Sequence, residues 1–511
     1  MNLTTDPWIP IVWANGRPGT VSLCEVFARR EDIRDLAVRP HERIAVMRLL
    51  ICIAQAALHG PTDHDDWRVC RAKITPAARD YLKRWRKAFE LFGDGQRFLQ
   101  VDGLKKPGNK NDDDEGNSVS KLNLALATGN NSTLFDNGGG SDREFSAARL
   151  ALGALTFQCF SPSGRIGVAE WHRNPTPSKG SSDHAPCIAG SMLHAVIRRN
   201  DLLDTIHSNL MSKEQVVRFF GKKAWGNPVW EHMPSKLANK AAIENATQTY
   251  LGRLVPLSRS IHLTEDCRSL ILANGLEYAP YPEWREPTST IVTRQIKNQP
   301  TRVILAASVE KAAWRELHAL TVIAVDKNSN GGPATLQNVV DGTAFDLWVG
   351  GLAANKAKLV DTTESVFHIP VQMLDAERDS QRAYESGVRW AENSAFRLGR
   401  AVCTYHRELG DNLDRAEFRD RRQQIQNNAT AQFWTDIEQA ISQLLDVAAN
   451  PEQLGAKNEW HKTDWGRAVW RAVRAAYEHA CPQDTPRQMR AYALGLNTLY
   501  FKPKDKEEGE P

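Results

Sequence analysis

DAERDSQRAYESGVRWAENSAFRLGRAVCTYHRELG, residues Asp375–Gly410, is the stretch from which the rest of the chain can be ordered. Asp375 suits a helix N-terminus and Glu377 a first turn, where a carboxylate meets the positive end of the helix dipole. Gly410 suits the left-handed turn that closes a C-terminus. Helical periodicity between them predicts a rod of about 50 Å, at about 1.5 Å per residue. At about 100° per residue, Tyr384, Val388, Ala391, Ala395, Leu398, Val402, Tyr405 and Leu409 fall on one side. Arg378, Arg382, Arg389, Arg400 and Arg407 fall on the other. The apolar side must be buried; the arginine side must face water or a polyanion. Guanidinium groups stay charged and fork onto phosphate oxygens, so a row of them matches a nucleic-acid backbone. A solvated face, with Glu385 and Glu392 as intrahelical partners, matches the same residues. This helix alone leaves both readings standing.

Three further helical segments follow: Leu413–Ala449, Thr463–Ala480 and Thr485–Tyr500. Short connections between them predict an antiparallel four-helix bundle over residues 371–511. In the third segment Arg467, Arg471 and Arg474 share one face, while Trp465, Val469, Ala472, Val473 and Ala476 share the other. A second helix divided in this way weights the balance toward nucleic acid. The residues after Lys502 are charged and expected to be disordered.

Upstream, residues 1–370 read as a large, irregular mixed domain, so the fold class is α+β. Trp8–Trp13 predicts a short strand before an Asn15-Gly16 turn. Pro40 opens an apolar helix, His41–Leu58, central to the first core. A second helix is expected over Pro76–Phe92, and Glu144–Phe157 and Ser308–Ala324 also read as helices. Asp102–Ser120, with its acidic run Asp112–Glu115, reads as a mobile insertion. Leu270–Ala273, Thr290–Thr293 and Val303–Ala306 read as strands, Pro175–Pro186 as a loop and Asn328–Pro333 as a turn. Phe345–Val360 reads as a hairpin whose tip lies near Ala353–Lys356. Two loops stand out. Asn130–Ser141 carries the apolar pair Leu134–Phe135 within a polar run, and Ser161–Gly167 carries glycines that let backbone approach a ligand closely. An anchor onto the core and an ordinary turn are the plain alternatives.

Composition narrows the function. The chain has 511 residues, 41% hydrophobic and 25% charged, with a net charge of +4, which describes a soluble protein of two or three domains rather than a basic coat for nucleic acid. Eight scattered cysteines form no C-x-x-C pair, which argues against a zinc ribbon and a disulfide framework and suits the cytoplasm. The N-terminus is no signal peptide, and the longest apolar segment, Ile44–Leu58, contains Arg48 and is too short for a membrane. No reaction centre emerges. His41-Glu42 is followed by Ala45 where a zinc-protease helix needs histidine, and Gly138–Gly140 lacks the Gly-Lys-Ser/Thr of a phosphate loop. Asp63-His64-Asp65-Asp66 contains a His-Asp dyad of the kind used by metal phosphohydrolases, but a polar turn explains it as well. Basic faces, unusual loops and no catalytic constellation point to a recognition subunit.

Five short motifs then resemble, in order, one family. Asp6-x-Trp8-Ile9-Pro10, Phe98-Leu99-Gln100, Leu134-Phe135-Asp136-Asn137, Asn274-Gly275-Leu276 and Gly350-Gly351-x-x-x-Asn355 are similar to the CasA family, the large subunit of the type I-E CRISPR surveillance complex Cascade. The resemblance implies a non-enzymatic subunit that tests duplex DNA for a protospacer-adjacent motif (PAM) while guide RNA reads the remaining sequence. It implies that the loop around Gly129–Ser141, with Leu134, Phe135, Asp136 and Asn137, meets the guide-RNA handle and a neighbouring subunit. It places Gly164, Arg165 and Gly167 at the PAM minor groove, in a loop with fewer glycines than the family pattern, and Arg268 beside them. Asn355 and Lys356 take the position of the wedge that splits the first base pairs; lysine stands where the family pattern has glutamine, which bears on PAM preference. Arg382, Arg389, Arg400, Arg407, Arg467, Arg471 and Arg474 would hold the displaced strand or backbone. The implied partners are the other Cascade subunits, guide RNA, double-stranded target DNA and a helicase-nuclease. Only Cys267 lies where some members carry a cysteine-rich zinc module, so no metal or other cofactor is expected. Two alternatives remain: a metal-dependent phosphohydrolase or nuclease using His64 and Asp65, and a purely structural scaffold.

Overall fold

The computed structural model describes residues 1–500 apart from 30–31, 107–115, 127–143, 165, 172–173, 177–184, 236–238, 341, 343, 356–357, 375–378, 412, 414 and 456–457. Of the expected features, Asp112–Glu115, the Leu134–Asn137 loop, Arg165, Lys356, Asp375, Arg378 and the tail after Lys502 lie outside the described residues. The chain divides into two compact units, Met1–Ile369 and Pro370–Pro511.

At the centre of the first unit lies the helix Pro40–Leu58. Proline suits its first turn, where the missing N–H has no intrahelical partner, and Glu42 Oε2 accepts from Arg39 N at 3.0 Å. Every residue from Ile44 to Ala56 is buried, Arg48 and Gln55 included, as in a helix surrounded by the core. His64–Arg84, Ala147–Phe160 and Tyr250–Leu254 pack against it. Ile9–Trp13 is the middle strand of an antiparallel sheet with Pro18–Val21 and Ile33–Leu36. Arg259–Leu263 pairs with Ser269–Asn274, and Asn117–Ser118 extends that sheet. A third sheet orders Lys358–Pro370, Ala344–Asn355 and Leu193–Arg198.

Several elements depart from the sequence reading. The second helix spans His64–Arg84, not Pro76–Phe92. Asp63 caps it, accepting from Asp66 N at 2.9 Å. Pro76 is carried inside because Trp67, Cys70, Ile74, Ala78, Tyr81 and Leu82 make one buried stripe; that burial offsets a proline cost of about 3 kcal/mol. The Ser308–Ala324 helix shrinks to a 3-10 turn at Ala313–Glu316 and one turn at Leu317–Leu320. The β-branched run Thr321-Val322-Ile323 resists extension, and Thr321 Oγ donates to Leu317 O at 2.8 Å. Within Asp102–Ser120, Leu104–Lys105 pairs with Glu170–Trp171 and Asn117–Ser118 with Ser269–Leu270, so both flanks are tied to sheets. Ile291–Ile296 and Gln299–Ile304 form a hairpin with each other, turning at Lys297 and Asn298, both at positive φ. Lys240–Gln248 and Tyr250–Leu254 are helices that the reading missed.

The irregular middle is held by Trp284-Arg285-Glu286. Trp284 stacks on Phe220 with centroids 4.4 Å apart. Arg285 donates to the carbonyls of Asp326, Ser329, Gly331 and Gly332 at 2.6–3.1 Å, fastening the expected 328–333 turn. Glu286 bridges Arg48 at 2.9 Å and Arg253 at 2.7 Å, and all three side chains are buried.

The second unit is built on the helix Asp379–Glu408, which packs against Arg419–Glu438, Ile441–Ala449, Asp464–Ala480 and Pro486–Tyr500. Its seven apolar-face residues from Tyr384 to Tyr405 are buried, and Gly410 follows with φ +96. A Cβ at Gly387 would lie 2.3 Å from Leu444 Cδ1 and 2.7 Å from the Trp460 ring. Glycine there sets how closely the helices approach. The expected Leu413–Ala449 helix is a correction: it is two helices, broken at Gln439–Ala440. No Pro or Gly marks the break. A 3-10-type bond from Gln443 N to Ala440 O, at 3.0 Å, re-aims the second piece so that Leu444, Leu445, Val447 and Ala448 are buried.

Candidate nucleic-acid interface

Ser161–Gly167 leaves the end of the core helix Ala147–Phe160, and its root is fixed by one buried arginine. Arg259 donates from Nε to Ser161 Oγ at 2.7 Å, from Nη2 to Pro162 O at 2.6 Å and from Nη1 to Asn274 Oδ1 at 3.1 Å. Burial pulls its pKa down, yet a guanidinium stays charged at neutral pH. Gln158 completes the clamp: its Oε1 accepts from Arg259 N at 3.0 Å and its Nε2 donates to Arg259 O at 2.8 Å. Asn274 is followed by Gly275, where a Cβ would lie 2.4 Å from Leu257 O and 2.5 Å from Arg259 N. Only glycine lets the two backbones meet there.

From that root, Gly164 and Gly167 are exposed, with nothing within 4 Å of an added Cβ. Gly164 has φ +149, which favours glycine, but neighbouring atoms demand glycine at neither position. The open backbone is available to a ligand. Ile166 between them packs onto the core and holds the loop in place.

The hairpin is joined to the same root. Ser161 O accepts from Ala185 N at 3.4 Å, and Cys187 N donates to Cys159 O at 3.1 Å. The segment then reaches Ser191, whose Oγ donates to Ala354 O at 3.1 Å and accepts from Ala354 N at 3.0 Å. Ala185–Ser191 thus links the base of the Ser161–Gly167 loop to the residue before Asn355. Asn355 ends its strand; its side chain, like Lys356, lies outside the described residues. On the adjoining strand His194 is fully buried, its ring nitrogens 2.8 Å from Cys187 O and Thr288 Oγ1. Burial brings its pKa down to about 4, so it is neutral and structural.

Arg268 adjoins the sheet that holds Asn274. It precedes the strand Ser269–Asn274, so it lies about 20 Å from Asn274 at about 3.3 Å per residue. It is exposed, ion-paired with Glu144, and its N–H donates to Asp266 Oδ1 at 2.9 Å. Hydrogen bonds tie the root of the Ser161–Gly167 loop and the residue before Asn355 to one segment, and Arg268 lies at the opposite end of its strand from Asn274.

In the helical unit Arg382, Arg389, Arg400, Arg407, Arg467, Arg471 and Arg474 are exposed. Arg389 pairs with Glu385 at 2.9 Å, Arg382 with Asp379 at 3.5 Å, Arg474 with Glu478 at 2.7 Å, and Arg467 with Asp464. Arg400 lies over the Phe396 ring, 6.0 Å from its centroid. Such surface pairs are worth about 0–1 kcal/mol and exchange readily for another anion.

The His64-Asp65 dyad has a structural explanation. Asp63 caps a helix, Asp66 Oδ2 accepts from Thr62 N at 2.9 Å, and His64 stacks on Trp67, which stacks on His207. Among the described residues, no three His, Cys, Asp or Glu side chains converge to hold a metal, and no helix is long and apolar enough to cross a membrane. Sequence reasoning missed Arg259, Gln158 and Ser191. Nothing local distinguishes Arg259 from a solvent-facing arginine, because its partners come from segments far away in the chain.

The chain is similar to known proteins. A family model described as CRISPR-associated protein Cse1 matches residues 2–476. A curated relative, CRISPR-associated protein CasA/Cse1 of Thermus thermophilus, is 25% identical over 515 residues, covering 93% of this chain and 92% of the relative. The crystal structure of Thermus thermophilus CasA superposes with a TM-score of 0.74 at 20% identity, over 98% of each chain. Cse1 from Acidimicrobium ferrooxidans gives 0.75 at 18% identity, over 98% of this chain and 96% of that one. A chain of a structure described as a CRISPR RNA-guided surveillance complex gives 0.69 at 16% identity, over 98% and 99%. At these identities the structural likeness speaks for the fold, and the family follows from the sequence: with the match running through both units, the chain belongs to the CasA/Cse1 family of CRISPR-associated proteins.

Proposed function

We propose that the chain is the non-catalytic DNA-recognition subunit of an RNA-guided surveillance complex, Cascade of type I-E, working in the cytoplasm. It senses the PAM in duplex DNA, helps open the duplex, holds the displaced strand and offers a platform to the helicase-nuclease. The observation that carries this reading is the link through Ala185–Ser191, which ties the open-backbone loop bearing Gly164 and Gly167 to the hairpin ending at Asn355. A backbone probe and a wedge on one support can read a groove and part the adjacent base pairs in a single docking event. Arg165 and Lys356 belong to these two elements by sequence. Leu134, Phe135, Asp136 and Asn137 are assigned to the guide-RNA handle and a neighbouring subunit. Arg268 is assigned with Gly164, Arg165 and Gly167 to the PAM minor groove. The test is R-loop formation by the reconstituted complex. Asn355→Ala and Lys356→Ala should each slow opening by about 10-fold, equivalent to about 1.4 kcal/mol, with the unfolding midpoint unchanged. Normal opening rates in both variants would remove the wedge assignment.

One observation favours a second reading for the helical unit. Intrahelical ion pairs occupy Arg382, Arg389, Arg467 and Arg474, as a merely solvated face requires. Salt dependence separates the two. If the row grips a strand, Arg389→Glu/Arg400→Glu should flatten log K against log salt, by about 0.7 for each single-strand phosphate no longer neutralised. An unchanged slope assigns those arginines to solvent.

A further inference from the structure

The helical unit carries a groove of about 600 Å³, lined from three of its helices: Asp379–Glu408, Asp464–Ala480 and Pro486–Tyr500. Three large aromatic side chains open into it. Trp390 is 37% exposed, Trp470 48% and Tyr500 44%. The Trp470 and Tyr500 rings are stacked on one another, 6.1 Å apart and 28° from parallel, and Arg474 lies over the Trp470 ring, 5.7 Å from its centroid. Clustered exposed aromatics of this kind mark a binding surface. Arg397, Arg467 and Arg471 line the same groove, and no carboxylate is among the described lining residues. Arg467 is engaged by Asp464, whereas no described carboxylate pairs with Arg397 or Arg471.

These two features together select an occupant. An apolar peptide would use the rings and leave the guanidinium groups uncompensated. A duplex would satisfy the arginines but keeps its base faces stacked inside. A single strand offers both unpaired π-faces and phosphates, the pairing that aromatic platforms with flanking arginines recognise. We propose that this groove binds unpaired bases of single-stranded DNA, with Trp390, Trp470 and Tyr500 as the stacking faces and Arg397 and Arg471 as the phosphate contacts. The proposal rests on the reading that the helical unit handles the displaced strand, and it names the place where bases, not only backbone, are held.

The test uses the full chain, a short fluorescent oligothymidylate and the same oligomer carrying abasic sites. The wild type should bind the thymidylate at least about 10-fold more tightly, since a stacked base contributes about 1–3 kcal/mol. Its tryptophan fluorescence should be quenched by the thymidylate and not by the abasic strand. Trp390→Ala/Trp470→Ala should abolish the preference and leave abasic affinity unchanged; Trp470→Phe alone should retain most of it. Arg397→Gln/Arg471→Gln should weaken both oligomers. The exposed positions make misfolding a small concern, and equal unfolding midpoints would exclude it. Equal wild-type affinity for the two oligomers, or a preference that survives loss of both tryptophans, overturns the groove. If Arg389→Glu/Arg400→Glu still weakens binding in that case, the strand-holding face stands and only the groove falls. If no arginine substitution changes binding, both fall.

Discussion

Replacing Glu286 by alanine should destabilise the Met1–Ile369 unit by about 3–5 kcal/mol, the cost of stranding buried charge. Glu286 lies between Arg48 and Arg253, and each of the three side chains is at most 3% exposed. The arginines keep carbonyl partners, Arg48 to Leu254 O and Arg253 O, Arg253 to Thr247 O and Ala279 O. They lose their only shared counter-charge among the described residues. Burial alone raises the Glu286 pKa, but Arg253 and Arg48 outweigh it and the net shift is downward. A carboxylate with a depressed folded-state pKa adds stability that is complete above its ordinary value, about 4.3. That stability is lost as pH falls through the depressed one. The gap between wild type and Glu286→Gln should therefore be widest near neutral pH and narrow in acid. Denaturant unfolding followed by tryptophan fluorescence measures it. Glu385→Ala, which breaks the exposed pair with Arg389, is the control, expected within about 1 kcal/mol. A Glu286→Ala loss no larger than that control would show that the triad does not organise the unit.

Local signals specified two long helices well and the irregular middle poorly. The Asp379–Glu408 helix was legible because its two faces obey one period over many turns, and its apolar residues are the buried ones. Pro40–Leu58 was legible from its leading proline and a mostly apolar run. His64–Arg84 was misplaced because Pro76 reads as a start, whereas the buried stripe from Trp67 to Leu82 overrides it. The break at Gln439–Ala440 has no local signature at all. The Trp, Pro and Tyr residues of Ala279–Pro287 read as irregular structure packed by large side chains, with no sign of what Arg285 and Glu286 bind. Their meaning depends on partners in the central helix and near residue 330. The candidate site divides along the same line. Its exposed glycines and its Asn274-Gly275-Leu276 motif are visible as short strings. The clamp that assembles them joins residues about 100 positions apart.

That clamp carries the second large effect. Arg259 is 4% exposed and has no carboxylate within ion-pair distance among the described residues, so its charge is buried without a counter-ion. Such a group persists where its several hydrogen bonds define a geometry that an apolar residue could not. Here it fixes the loop root at Ser161 and Pro162 against Asn274. Arg259→Met keeps the aliphatic stem and removes the fork, withdrawing the donor from two buried acceptors and the half-buried Pro162 carbonyl. The expected loss is about 2–4 kcal/mol, because desolvation penalties of about 1–3 kcal/mol per acceptor are partly offset by releasing a buried charge. Arg259→Lys separates stability from function. Lysine retains the charge and can satisfy one acceptor but cannot span three. On the proposed reading the loop then shifts relative to the hairpin. Opening of target duplex by the assembled complex should slow by about 10-fold at temperatures where the fold is intact, since a misplacement near 1 Å can cost far more. Gly167→Ala, whose added methyl meets no neighbour inside the protein, should slow opening with a much smaller change in stability. If Arg259→Lys melted early yet opened duplex at the normal rate, the clamp would serve the fold alone, and the loop it supports would lose its claim on the groove.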